Sequence, residues 1–265
     1  MSIAWLESVE STNTEIKKAI AAGKPEKTAV ASFQQTGGYG RQGRGWSSPV
    51  GGLYLSLLMR PFDHGVSSEA VSTLALAMSI ALKRMLASLG VKKDIGIKWP
   101  NDILLKEGKL AGVSVELVDG AVCVGIGVNV FEPQETQDKS TKSAGQSKYH
   151  PVYLARYLQG EHFASVVSSG VLEPAQKECI QSIAGTLFHE VYSVYDQWLD
   201  GGFPSLRSEY QSCSYLDGRK VRLLSLTDDI LSEGTVCDID EQGRLVLRLD
   251  NGELAFASSG EVHLV

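Results

Sequence analysis

The chain has 265 residues and carries 25 Lys and Arg against 31 Asp and Glu, a formal net charge of -6. That length allows one sizeable core and a small second domain, and the acidic balance excludes a surface given over wholly to nucleic acid while leaving space for a local basic pocket. No apolar run approaches the ~20 residues that span a bilayer, and the start MSIAWLESVE lacks the basic and apolar regions of a signal peptide, so a cytoplasmic protein without a membrane partner is expected. Cys123, Cys179, Cys213 and Cys237 are far apart, with no C-x-x-C pair and no neighbouring histidines, which points to inert thiols rather than a zinc site or a disulfide framework.

In chain order, residues 3–6 read as a short strand, and Thr12 and Glu15 stand at capping-box spacing ahead of a helix running to about Ala22, closed by Gly23 and Pro25. Ser11, Thr12 and Asn13 either cap that helix or present hydroxyl and amide groups to a ligand. Residues 28–33 form a strand that enters the stretch from Gln35 to Trp46, Q-T-G-G-Y-G-R-Q-G-R-G-W. Gly37, Gly38, Gly40, Gly43 and Gly45 permit positive φ and close backbone approach, while Arg41 and Arg44 offer cationic forks, the composition of an anion-holding loop or of a plain surface turn. A strong strand over 53–59 leaves this loop, so the loop joins two sheet elements, where ligand-binding loops tend to sit.

The spacing of Leu74, Met78, Ala81, Leu82, Met85 and Leu89 predicts a core-facing helix over 67–89. Two apolar runs over 95–105 flank Lys98-Trp99-Pro100-Asn101-Asp102, a break that brings a lysine and an aspartate to a pocket or leaves them as an exposed turn pair. Glu107-Gly108 turns the chain into Lys109-Leu110-Ala111-Gly112 and a strand over 113–118, which Asp119-Gly120 joins to a strand over 121–130. In that last strand Gly125, Gly127 and Asn129 mark either close approach of a ligand or a bulge. Residues 132–149 are polar and read as a mobile loop, two helices follow over 152–167 and 175–199, and a short one covers 205–212. From about Tyr215 the chain carries four short strand-like runs, over 220–225, 234–239, 245–249 and 254–257, the pattern of a small barrel.

Ser11-Thr12-Asn13, the glycine-rich loop, K-W-P-N-D at 98–102, K-L-A-G at 109–112 and G-I-G-V-N at 125–129 together make the chain resemble the biotin-protein ligases. The resemblance implies an α+β fold of the class II aminoacyl-tRNA synthetase-like kind: a mixed, largely antiparallel sheet with packed helices over 1–213, followed by an SH3-like β-barrel over 214–265. It implies activation of biotin by MgATP to biotinyl-5′-adenylate, then transfer to a lysine of a biotin carboxyl carrier domain. On the matching positions, Lys109, Arg41, Lys98 and Asp102 take the catalytic roles, with Asp102 orienting the attacking lysine or acting as its base. Ser11, Thr12, Asn13, Gln35, Gly38, Tyr39, Gly40, Arg41, Lys109 and Gly112 would bind biotin. Arg41, Arg44, Trp46, Lys98 and Asn129 would bind ATP.

One position departs from the family's G-R-G-R-x-G-R-x-W loop: Tyr39 replaces its first arginine and keeps a hydroxyl but no charge. The predicted strand at residue 3 suggests the short form without a winged helix-turn-helix, acting as an enzyme with no nucleic acid partner, and a homodimer is common in the family. The competing readings are a lipoate or octanoate ligase of the same fold, and a protein that holds biotin without turnover. The sequence leaves any metal beyond that of MgATP open.

Overall fold

The computed structural model describes residues 2–91, 94–106, 108–134, 149–158, 166–167, 170–225, 227 and 229–265. The chain opens with β1 (Ile3–Leu6), α1 (Thr12–Ala21), β2 (Ala29–Ser32) and β3 (Gly52–Met59), and α2 (Ser68–Val71) and α3 (Leu74–Ser88) lead on to β4 (Ile95–Lys98). Next come β5 (Asp102–Leu105), β6 (Gly108–Val118), β7 (Ala121–Asn129), β8 (Glu132–Pro133) and β9 (Val166–Val167), then α4 (Pro174–Gly201) and α5 (Pro204–Ser212). The last stretch holds β10 (Lys220–Leu224), β11 (Ile230–Ile239), β12 (Leu245–Arg248), β13 (Leu254–Ala257) and β14 (Glu261–Leu264).

Seven strands form the main sheet in the order β1-β2-β3-β7-β6-β5-β4, parallel only between β1 and β2. Helix α1 lies against β2, β3 and β7, while α3 and α4 pack together, α3 against β4, β5 and β6 and α4 against β3. Strand β3 is buried along its whole length, which is why its sequence is a nearly unbroken apolar run. Leu74, Met78, Leu82 and Met85 of α3 are fully buried, as are Ile180, Leu187, Val191 and Trp198 of α4, so the helical periodicity marked core faces. The five C-terminal strands form a second antiparallel sheet in the order β13-β12-β11-β10-β14, and its buried Val221, Val236, Ile239 and Leu247 belong to the same apolar core. The buried Trp99 Nε1 donates to the Gly243 carbonyl at 3.0 Å and ties the two sheets together.

Several elements differ from the sequence expectation. The helix over 67–89 is divided at residues 72–73, where the Thr73 hydroxyl donates to the Ala70 carbonyl at 2.7 Å and accepts from Trp198 Nε1 at 2.9 Å; local side-chain bonding of this kind competes with the helix ladder. Helix α1 starts after Ser11, which stands at the N-cap position without a side-chain bond, and no Thr12–Glu15 box forms; the Thr12 amide donates to Gln35 Oε1 at 2.8 Å instead. Where a helix was expected over 152–167, the described residues show a 3-10 turn (Leu154–Arg156) and β9; Val152 is drawn instead onto Lys109, with Lys109 N to His150 O at 2.8 Å and Val152 N to Lys109 O at 3.1 Å. Residues 135–148 of the polar stretch, 159–165 and Glu107 lie outside the described residues. Strand β14, whose polar Glu261 and His263 alternate with apolar residues over only four positions, is a fifth C-terminal strand that the turn pattern did not mark.

Candidate active site

The site begins with a row of residues placed side by side by register. Tyr54 of β3, Gly127 of β7, Gly112 of β6 and Asp102 of β5 stand in line across the sheet, and Ser56, Gly125 and Ser114 form the next row. Both glycines of β7 keep regular ladder positions, so they mark close approach and not a bulge; the register shift falls between Ile103 and Leu104 instead. A Cβ at Gly125 would lie 2.2 Å from Asn13 Oδ1, one at Gly127 2.7 Å from Trp46 Nε1, and one at Gly112 3.1 Å from the Trp46 ring. The bare backbone thus lowers the floor of a cleft of about 1200 Å³.

At one end of the cleft the groups are polar and uncharged. Thr12 and Asn13 are buried on the first turn of α1, and Ser11 holds the N-cap position with no side-chain cap bond. Ser56 Oγ bonds both Thr12 Oγ1 at 2.7 Å and Asn13 Oδ1 at 2.6 Å, and Thr12 Oγ1 donates to Gln35 Oε1 at 3.1 Å. Gln35 Nε2 donates to Ser48 Oγ at 3.0 Å, and Asn13 Nδ2 donates to Ser114 Oγ at 3.2 Å and Glu116 Oε1 at 3.1 Å. Such a network fixes the direction of each amide and hydroxyl in the buried pocket.

Cations gather at the other end. The glycine-rich loop folds back as a small hairpin, with a Tyr39–Gly45 bridge, Gly40 N to Arg44 O at 2.8 Å and a 3-10 turn over Arg41–Gly43 at its tip. Of its glycines only Gly43 has positive φ, at 71°. Gly38 does not line the cleft; it is required at the loop base, where a Cβ would meet Ser48 Oγ at 2.2 Å. Burial lowers the pKa of Arg41, the neighbouring Arg44 lowers it further and Asp102 opposes both, so the desolvated guanidinium gains from any anion brought between the two arginines. Arg44 pairs with Glu261 of β14. Lys109 Nζ stands 2.7 Å from Asp102 Oδ1, both side chains largely buried, and 5.0 Å from the centroid of the Trp46 ring. Lys98, the ladder partner of Asp102, places its ammonium 5.1 Å from the Tyr149 ring centroid. Burial pushes the Tyr149 phenol up to about 12.

All the expected site residues other than Gly38 therefore meet in one cleft. Asn129 lines the cleft, and its Nδ2 also donates to the Lys109 carbonyl at 3.0 Å and so helps fix the backbone that carries Lys109. Sequence reasoning assigned no role to Asn101, which accepts from Arg41 Nη1 at 3.4 Å and donates to the Val113 carbonyl at 2.6 Å. It also passed over Ser56, Ser114 and Glu116, whose signal is a lone polar residue at a one-face position of an apolar strand. Tyr149, His150, Glu261 and His263 line the cleft as well and carry no local sequence signal. Trp46 Nε1 is buried with no partner among the described residues, while its ring lies on the glycine floor. Among the described residues no three His, Cys, Asp or Glu side chains are grouped to hold a metal.

An uncharged hydrogen-bonding nest joined by a glycine floor to a cluster of cations is suited to a molecule with a polar neutral head and an anionic tail meeting a second anion. The fold is that of known ligases: a biotin protein ligase from Aquifex aeolicus in complex with biotin and ATP superposes with a TM-score of 0.73 over 100% of this chain and 98% of that one, at 23% identity. Residues 5–130 match the Biotin/lipoate A/B protein ligase family and residues 218–265 the Biotin protein ligase C terminal domain. The chain is 30% identical to the biotin--[acetyl-CoA-carboxylase] ligase of Mycobacterium tuberculosis over 96% of its length and 86% of that protein. It is 38% identical to the bifunctional ligase/repressor BirA of Escherichia coli, with 99% and 74% covered. The chain belongs to the biotin protein ligase family.

Proposed function

We propose that the protein activates biotin with MgATP to biotinyl-5′-adenylate and transfers the biotinyl group to a lysine of a biotin carboxyl carrier domain. The observation that carries this reading is one cleft in which Ser11, Thr12, Asn13 and Gln35 face one end, with Thr12 and Asn13 held from behind by Ser56, and Arg41, Arg44, Lys98 and Lys109 face the other. A ureido ring needs donors and acceptors of low charge, which the hydroxyl and amide nest supplies. The valeryl chain then lies on the glycine floor, in the trough where the Trp46 ring now rests, so biotin entry moves that ring aside.

In the first step a carboxylate oxygen of biotin attacks the α-phosphorus of ATP and pyrophosphate leaves. Two anions must meet, so Lys109 leaves Asp102 to bridge the carboxylate and the phosphate, and Arg41 and Lys98 take up charge that grows on the phosphoryl oxygens. The magnesium ion enters with the nucleotide as part of that substrate. In the second step the acceptor amine attacks the acyl carbon and AMP departs with the electron pair of the broken C–O bond. Asp102, released from Lys109, accepts the proton that the amine loses.

The test is ATP-dependent transfer of biotin to an isolated biotin carboxyl carrier domain, with lipoate as the competing acid. Pyrophosphate release and acceptor labelling with biotin alone are expected. Turnover of lipoate in preference to biotin, or biotin binding with no pyrophosphate release, would overturn the assignment.

A further inference from the structure

Tyr39 stands where the family's loop carries an arginine, and its neighbour is a cation from elsewhere in the chain. Lys17 of α1 places Nζ 5.3 Å from the centroid of the Tyr39 ring and 2.6 Å from Glu116 Oε2. The other oxygen of that carboxylate, Oε1, accepts from Asn13 Nδ2 at 3.1 Å. With Nδ2 held by Glu116 and Ser114, Asn13 Oδ1 is turned toward Ser56 and the nest. Burial works against the charge on Lys17, yet hydrogen bonds to Glu116 and Tyr39, together with the negative charge of Glu116, raise its pKa and hold the ammonium protonated.

We propose that Lys17 is a positioning residue for the ligase reaction: it neutralises Glu116 so that this carboxylate orients the Asn13 amide for the ring of the bound acid, and it docks Tyr39 of the glycine-rich loop on α1. Without Lys17, an unpaired carboxylate would stand beside a cleft that must receive two anions. The remaining electrostatic repulsion would act on ligand binding, and the loop would lose its contact with α1. Lys17 touches neither reacting atom, so its effect falls on affinity more than on the chemical step.

The inference rests on biotin being the ligand of the nest, and titration calorimetry with biotin separates the two. Lys17→Met is expected to weaken biotin binding about tenfold with kcat for pyrophosphate release within about twofold. Lys17→Arg should stay near wild type. The double variant Lys17→Met/Glu116→Gln, which removes the stranded charge but keeps an acceptor for Asn13, should regain most of the lost affinity. Should Lys17→Met bind biotin as wild type does, or should Glu116→Gln give no recovery, the positioning role is wrong. A wild-type protein that binds no biotin would instead overturn the functional reading, and this inference with it.

Discussion

Lys109 is the side chain on which the proposed chemistry depends most. It is largely buried, and its backbone is held by His150, Val152 and Asn129, so its position is set before any substrate arrives and only the ammonium has to exchange Asp102 for the anions. A preorganised charge of this kind is worth most where charge builds in the transition state. Lys109→Ala should lower the single-turnover rate of adenylate formation about a hundredfold or more, measured by rapid quench with saturating biotin; an unchanged rate would remove Lys109 from the mechanism. Gly125 matters for the opposite reason, that nothing stands there. In Gly125→Ala the new methyl group would meet Asn13 Oδ1 at 2.2 Å and push the amide out of its orientation. Biotin affinity is expected to fall by about tenfold or more while the far-ultraviolet circular dichroism spectrum stays unchanged.

The glycine-rich hairpin acts as a unit because its two ends are tied to different things. Its base is held by Trp46 N to Gly38 O at 2.9 Å and by Gln35 with Ser48, its tip by Arg41 to Asn101 and Arg44 to Glu261. The base adjoins the hydroxyl and amide nest and the tip the cation cluster, so one element spans both ends of the cleft. Removing the Arg41 anchor with Arg41→Gly leaves the base in place but loosens the tip, and the entropy of the glycine-rich segment then favours opening. Reactive adenylate should escape, seen as biotin on bystander lysines of an added non-acceptor protein at several times the wild-type level; labelling equal to wild type would contradict the anchoring role of Arg41.

At the scale of the whole molecule, the two sheets share one buried core, and the cleft takes residues from both. Ser225, Gly260 and residues 261–264 of β14 line it from the C-terminal part of the chain. The joint between the sheets includes the Trp99–Gly243 hydrogen bond and the pair of Arg207 with Asp238 at 2.6 Å. Because the apolar contacts run through this joint, denaturant should unfold the protein in a single transition. Trp99→Phe leaves the buried Gly243 carbonyl unpaired and should cost about 1–3 kcal/mol, read as a lower urea midpoint, still with one transition. Two separate transitions would show that the joint does not couple the parts.

The residue types alone determined the chemistry on offer and most of the elements. Apolar periodicity placed α3 and α4, the unbroken run at 53–59 placed β3, and the five short motifs named a family and a set of site residues of which all but Gly38 line the cleft, because each is a local pattern of backbone freedom, charge or hydrogen bonding. The tertiary structure alone decided what those groups do to one another. Ladder register put Gly127, Gly112 and Asp102 in one row, which no local pattern states, and packing of α1 on β3 brought Asn13 to Ser56. The same holds for the rest that sequence did not reveal: Lys17 beside Tyr39, Glu116 beside Asn13, and Glu261 beside Arg44 are pairs far apart in the chain. The break at Thr73 depends on Trp198 in the same way. A hydrogen bond or ion pair acts over a few ångströms whatever the separation along the chain, so only the folded arrangement can specify it.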